Sequence, residues 1–148
     1  MPDDEATPDD EAVSEDEAVS ANVELVRSIY DEWERGDFGR ADWADPEIEY
    51  VTDGGPDPGG STGLGPLAAA NRDFLSVWTG WRIHADSFRE LDGERVLVLT
   101  SRGGRGRASG LEVWEASANL FHIRGGRVTR LVFYWDRDRA LADLGLGD

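Results

Sequence analysis

The chain has no cysteine and no lysine, and only two histidines among its 148 residues. Without cysteine there is neither a disulfide framework nor thiolate chemistry. The histidines, His84 and His122, have no spacing that points to a metal, and no dinucleotide-binding fingerprint occurs, so neither a metal centre nor a cofactor is expected. No run of about 18 apolar residues occurs, which excludes a membrane-spanning helix. Residues 1–20 lack the basic and apolar stretches of a secretory signal, and a cytoplasmic location is the resulting expectation. All fifteen basic residues are arginine, a bias from which no function follows.

Positive charge is also scarce. The formal net charge is −16, and residues 1–20 alone hold nine acids and no base, which leaves −7 for residues 21–148. Such a surface repels a phosphate backbone, so nucleic acid is excluded as a partner. The segment Arg102-Gly103-Gly104-Arg105-Gly106-Arg107 reads as a Gly-rich hairpin loop decorated with arginines, not as an RNA-binding motif. Residues 1–20 form a decayed repeat (DDEA, DDEAVS, EDEAVS) with almost no apolar mass, and are expected to be a disordered acidic tail ahead of one domain over 21–148.

Within that domain six tryptophans stand out: Trp33, Trp43, Trp78, Trp81, Trp114 and Trp135. Each falls in or beside a different predicted element. Aromatic side chains line concave ligand sites as readily as they fill cores.

Val23, Val26, Ile29, Tyr30 and Trp33 recur at helical spacing, which predicts a helix capped by Ser20 or Asn22 and ended by Gly36. A short helical turn is expected over Phe38 to Trp43. Residues 47–52 alternate as a half-buried strand with Ile48, Tyr50 and Thr52 inward. A Gly- and Pro-rich loop over 53–63 reads as a mobile flap, and Leu64 to Trp78 as a second helix opened by Pro66. Four strands follow, at Trp81–Leu91, Arg95–Ser101, Leu111–Ile123 and Arg127–Trp135, with hairpin turns at Asp92-Gly93 and Gly125-Gly126. A final helix spans Arg137 to Leu144. The fold class is therefore α+β: a cone-like, curved antiparallel sheet with the N-terminal helices packed on its concave face.

Three segments near the start, Asn22-Val23-Glu24-Leu25-Val26-Arg27, Trp33-Glu34-Arg35-Gly36-Asp37 and Asp45-Pro46-Glu47-Ile48-Glu49-Tyr50, resemble the opening of SnoaL-like proteins. Ser109-Gly110-Leu111-Glu112, Arg124-Gly125-Gly126-Arg127-Val128 and Tyr134-Trp135-Asp136-Arg137 followed by Ala140-Leu141 resemble their closing hairpin and helix. The resemblance spans nearly all of residues 21–148 and implies the nuclear transport factor 2-like, or ketosteroid isomerase-like, superfamily. That superfamily shares a cone-shaped pocket but hosts enzymes, binders and assembly modules alike, so it does not by itself supply a function.

Ketosteroid isomerase uses a carboxylate base with a Tyr and a protonated Asp as oxyanion donors. By the resemblance, its base slot falls on Thr52, and Asp53 fills it only with a one-residue shift or bulge. Its tyrosine aligns near Ile29, beside Tyr30, and its acidic donor near Asn119 or Ala118. Two of three slots are thus altered. Asp53 is the leading general-base candidate, against an Asx-turn role before Gly54-Gly55. Asp136 resembles an acid that follows the last strand in cyclase relatives, against a plain helix N-cap. The candidate catalytic set is Asp53, Asp136 and Asn119. The candidate pocket is Tyr30, Trp33, Tyr50, Thr52, Phe121, Leu131, Phe133 and Trp135, with Trp78 and Trp81 at a subunit interface or in the core.

The function implied is a pocket for a mostly apolar, ring-containing small molecule, with proton transfer or hydration and dehydration as its chemistry. The alternative is a non-catalytic ligand-binding or dimerisation module. Val128, Val132 and Tyr134, on the outward side of the last strand, are expected to support a homodimer.

Overall fold

The computed structural model describes residues 7–54 and 59–146. Its elements, in chain order, are α1 (Thr7–Glu34), β1 (Ala44–Asp53), β2 (Gly59–Thr62), α2 (Leu64–Ser76), β3 (Trp78–Asp92), β4 (Arg95–Gly106), β5 (Glu112–Arg124), β6 (Arg127–Tyr134) and α3 (Arg137–Asp143). The strands form one six-stranded sheet in the order β2-β1-β6-β5-β4-β3. Every neighbouring pair is antiparallel except β1 and β6, which run parallel. The α+β plan read from the sequence is the observed one.

Two cores form because strand alternation sends apolar side chains to both faces of the sheet. On the concave face, Val26, Ile29, Tyr30 and Trp33 of α1 pack against Ile48, Val96, Val98, Phe121, Ile123, Val128 and Leu131. On the other face, Leu97, Ala118, Leu120, Val132 and Tyr134 are covered by Ala140 of α3, with Leu141 and Leu144 beside it. Val132 and Tyr134, expected at a dimer interface, are therefore buried under the chain's own last helix.

Val128 departs from the expected outward position for a separate reason. The β5–β6 register shifts between His122 and Ile123, which leaves Thr129 as an extra residue in β6. A bulge of this kind changes the facing of what lies beyond it. Val128 and Leu131, three apart, both join the concave core.

Other boundaries also move. The first helix starts at Thr7, well before Asn22, and so continues through most of the acidic repeat. The repeat is rich in Ala and Glu, good helix formers. Residues 1–6 lie outside the described residues. Asn22 caps nothing; its Nδ2 donates to the Gly93 carbonyl at 2.8 Å and ties α1 to the β3–β4 turn. Phe38 to Trp43 forms no helical turn, and Trp43 Nε1 donates instead to the Arg40 carbonyl at 3.1 Å. Within the expected flap, Gly59–Thr62 is an edge strand on β1, while residues 55–58 lie outside the described residues.

The largest correction concerns the segment read as a Gly-rich loop. Arg102 to Gly106 belongs to β4, paired with β3 on one side and β5 on the other. Its glycines serve close backbone approach rather than a turn. A Cβ at Gly103 would run into the Val113 carbonyl oxygen of β5. The true turns are elsewhere: Gly125 and Gly126 both have positive φ, 60° and 79°, as a tight two-residue hairpin requires.

Arg137 fastens α3 to the sheet. Its guanidinium donates to Asp86 Oδ2 at 2.7 Å, the Thr100 carbonyl at 2.6 Å and the Ser117 carbonyl at 3.2 Å. Burial raises the pKa of Asp86, but hydrogen bonds from Ser101 and Arg137 outweigh it and the net shift is downward.

Two outcomes follow. Gly103→Ala forces β4 and β5 apart and lowers stability by about 1–3 kcal/mol, read by urea denaturation. A depressed carboxylate pKa adds stability above its unfolded value, which is lost as the pH falls through the folded value. Asp86→Asn therefore lowers the Tm at neutral pH, and the gap to the parent begins to close only as the pH falls below about 4, vanishing below the folded-state pKa of Asp86.

Candidate functional site

Above the packed part of the concave core, the sheet and α2 enclose a cavity of about 810 Å³. Ligand sites commonly span roughly 300–1,000 Å³. Its floor is Trp33 of α1. Tyr50 and Thr52 of β1 and Phe133 of β6 supply one wall, continued by Trp135. Ala70 and Phe74 of α2 close the roof, and Trp78, Trp81 and Ile83 of β3 form the opposite wall.

Inward alternation explains most of this set. Ile48, Tyr50 and Thr52 share one face of β1, with Ile48 in the core and the other two on the cavity. Leu131, Phe133 and Trp135 do the same from the last strand, Leu131 in the core and the two aromatics on the cavity. Phe133 meets Tyr50 edge-on at 5.1 Å between ring centroids and stacks on Trp33 at 6.4 Å.

Trp78 and Trp81 cannot share a face in a regular strand, since they are three residues apart. Gly80, with φ of 66°, sits in a register shift between Thr79 and Arg82 that turns both tryptophans inward. They are 5.0 Å apart between centroids, and Phe74 lies 4.7 Å from Trp81. The Trp-Thr-Gly-Trp run was the available signal for this wall.

The remaining residues of the sequence-based set fall into two groups. Tyr30, Phe121 and Leu131 lie fully buried in the packed core and are not on the cavity surface. There Asn119 Nδ2 donates to the Tyr30 hydroxyl at 2.5 Å, which joins two candidates picked from distant segments. Burial pushes the Tyr30 phenol well above its usual pKa, and the bond from Asn119 only partly offsets this. The phenol is neutral at any ordinary pH.

Asp53 and Asp136 are placed away from the cavity. The β1–β6 register is regular from Glu49 to Asp53, so no bulge turns Asp53 inward. Its carboxylate pairs with Arg139 of α3 at 2.7 Å. Asp136 caps α3 by accepting from the Asp138 backbone amide at 3.0 Å. Among the described residues the one carboxylate on the cavity is Asp73, which is exposed. His84 stands outside, between Glu34 at 3.1 Å and Asp86 at 3.9 Å. Among the described residues, no group of three or more His, Asp and Glu side chains converges as a metal site, and no helix is long and apolar enough to cross a membrane.

The sequence reading missed Arg102. It is inward on β4, in phase with the core residues Val96 and Val98, and only 4% exposed. It lines the cavity with its guanidinium 4.7 Å from the centre of the Trp135 ring. Continuing the alternation of β4 past Ser101 finds it; the flanking glycines hid it.

No family model matches this sequence, and no curated protein matches it. Solved structures do. A protein described as a SnoaL-like polyketide cyclase from Jannaschia sp. superposes with a TM-score of 0.68 at 20% identity, covering 86% of this chain and 91% of that one. TerC, co-crystallised with polyporic acid, gives 0.68 at 22% identity, covering 85% and 97%. A nuclear transport factor 2-like protein of unknown function from Burkholderia pseudomallei gives 0.69 at 22% identity, covering 82% and 95%. The chain has the nuclear transport factor 2-like fold. Identity this low carries the architecture and not the chemistry, so function has to come from the cavity.

Tyr30→Phe tests the buried pair beneath it. The substitution strands the Asn119 amide in the core and lowers stability by about 1–3 kcal/mol, measured by urea denaturation. Tyr30→Phe with Asn119→Leu recovers part of that loss.

Proposed function

We propose that this domain binds a mostly apolar, ring-containing small molecule in the cavity above Trp33. The observation that carries the reading is the wall itself. Trp33, Trp78, Trp81 and Trp135, with Phe74 and Phe133, surround a space that the side chains of the described residues leave unfilled. Close packing is the rule in protein interiors, so aromatic surface left facing a void of this size points to a partner that covers it.

The reading favours binding over proton transfer through Asp53 or Asp136. Asp53 is held in an ion pair with Arg139, and Asp136 is committed to the helix cap. A general base must come within hydrogen-bond reach of the proton it removes. Neither carboxylate lies on the cavity wall. TerC, of the same architecture, was crystallised with polyporic acid, which fits an organic ligand in this kind of space.

The test uses N-phenylnaphthylamine, a neutral fluorescent aromatic probe. It is expected to bind saturably, with quenching of tryptophan emission and a blue shift of its own. Ala70→Trp, which puts an indole into the cavity from α2, weakens binding by about tenfold or more, equivalent to about 1.4 kcal/mol. The variant's melt stays cooperative. Absence of saturable binding, or binding indifferent to Ala70→Trp, removes the proposal.

A further inference from the structure

Arg102 is a buried cation without a counter-ion. Among the described residues it makes no ion pair, and its Nε and Nη2 atoms are buried with no hydrogen-bond partner. Removing a guanidinium from water is costly unless its charge and its N–H groups are matched. Its register partner on β5 is Glu115, yet no ion pair joins the two. Trp135 makes a cation–π contact with the guanidinium, whose Cζ lies over the indole 4.7 Å from its ring centre. A guanidinium binds planar oxyanions through its in-plane N–H edge, and here Nε and Nη2 of that edge have no partner.

Two further polar atoms, on residues that line the same cavity, are in the same condition. Trp78 Nε1 and Ser61 Oγ are buried and have no partner. An indole N–H and a guanidinium only donate, and a hydroxyl can donate. Residues of the aromatic wall thus carry buried, unmatched donors, and among the described residues the one carboxylate on the cavity, Asp73, is exposed. A neutral hydrocarbon would cover the rings and leave all three polar groups bare.

We infer that the ligand is an aromatic or polycyclic molecule bearing a planar anionic oxygen group, a carboxylate or an ionised phenol or enol, which Arg102 binds through its free N–H edge. This rests on the binding reading above and specifies the chemical class of its ligand. A charge-assisted bond in a site shielded from water is stronger than a neutral one. The contribution is therefore visible as discrimination between two ligands of one shape.

The experiment titrates the full chain with 2-naphthoate and with 2-naphthamide, its neutral isostere, following tryptophan emission. The parent binds the carboxylate at least about tenfold more tightly, about 1.4 kcal/mol. Arg102→Met loses that preference while holding its affinity for the amide, and its Tm does not fall, since a buried charge has been exchanged for an apolar stem. Arg102→Lys keeps part of the preference as a point charge. Equal affinity of the parent for the two probes overturns the inference, as does a preference that survives in Arg102→Met. The parent comparison decides the matter even where a variant fails to fold. If N-phenylnaphthylamine binds and the naphthyl pair is not distinguished, the anion inference fails and the binding reading stands. If N-phenylnaphthylamine does not bind, both fall together.

Discussion

Everything on the concave side is arranged around the ring of Trp33. Below it the ring packs edge-on to Tyr30 at 5.0 Å and Trp43 at 6.0 Å, and tilted against Phe121 at 6.3 Å. Above it the same indole faces Phe133 and forms the cavity floor. Each such aromatic pair contributes about 0.5–1.5 kcal/mol beyond the area it buries. One side chain therefore closes the packed half of the cone and opens the unpacked half. Its position is fixed by α1, since Val26, Ile29, Tyr30 and Trp33 follow one helical stripe into the sheet. A shift of α1 by one residue would rotate that stripe by about 100° and leave the cavity without a floor.

How far the sequence could be read follows from which local rule governed each residue. Helical spacing placed Val26, Ile29, Tyr30 and Trp33, and strand alternation placed Tyr50, Thr52, Phe133 and Trp135, because in both cases the period runs unbroken. Alternation failed at bulges. Thr129 inverted Val128, and Gly80 brought Trp78 and Trp81 onto one wall. A bulge depends on pairing with a distant strand, so no local pattern announces it. The Arg102 segment failed for a different reason. Glycine favours both turns and close backbone contacts, and only the presence of β5 at the Val113 carbonyl distinguishes them.

The polar candidates show the same division. Asn119 and Tyr30, picked by resemblance to ketosteroid isomerase, are hydrogen-bonded to each other in the core. The two side chains are bound to each other beneath the cavity, so matching alignment slots does not give a matching role. Asp53 reached the end of the right strand but on the wrong face, because β1 and β6 stay in register through it. The chemistry of the cavity is left to groups the superfamily comparison did not single out: an arginine, an indole N–H and a hydroxyl.

The charge balance of the whole chain gives that arginine its meaning. With a net charge of −16, the long-range field outside the protein opposes the approach of any anion. At physiological ionic strength this repulsion fades beyond about 8 Å. At Arg102 the position is reversed, since its guanidinium is buried and, among the described residues, no carboxylate pairs with it. Recognition is therefore decided by contact and not by steering. A molecule with several negative charges meets repulsion at the rim, where Asp73 stands, and finds one buried cation to match them. A single oxyanion on a large apolar body meets the least repulsion for the most buried surface. On the proposed reading, the acidic exterior and the buried Arg102 favour the same kind of ligand that the aromatic walls do.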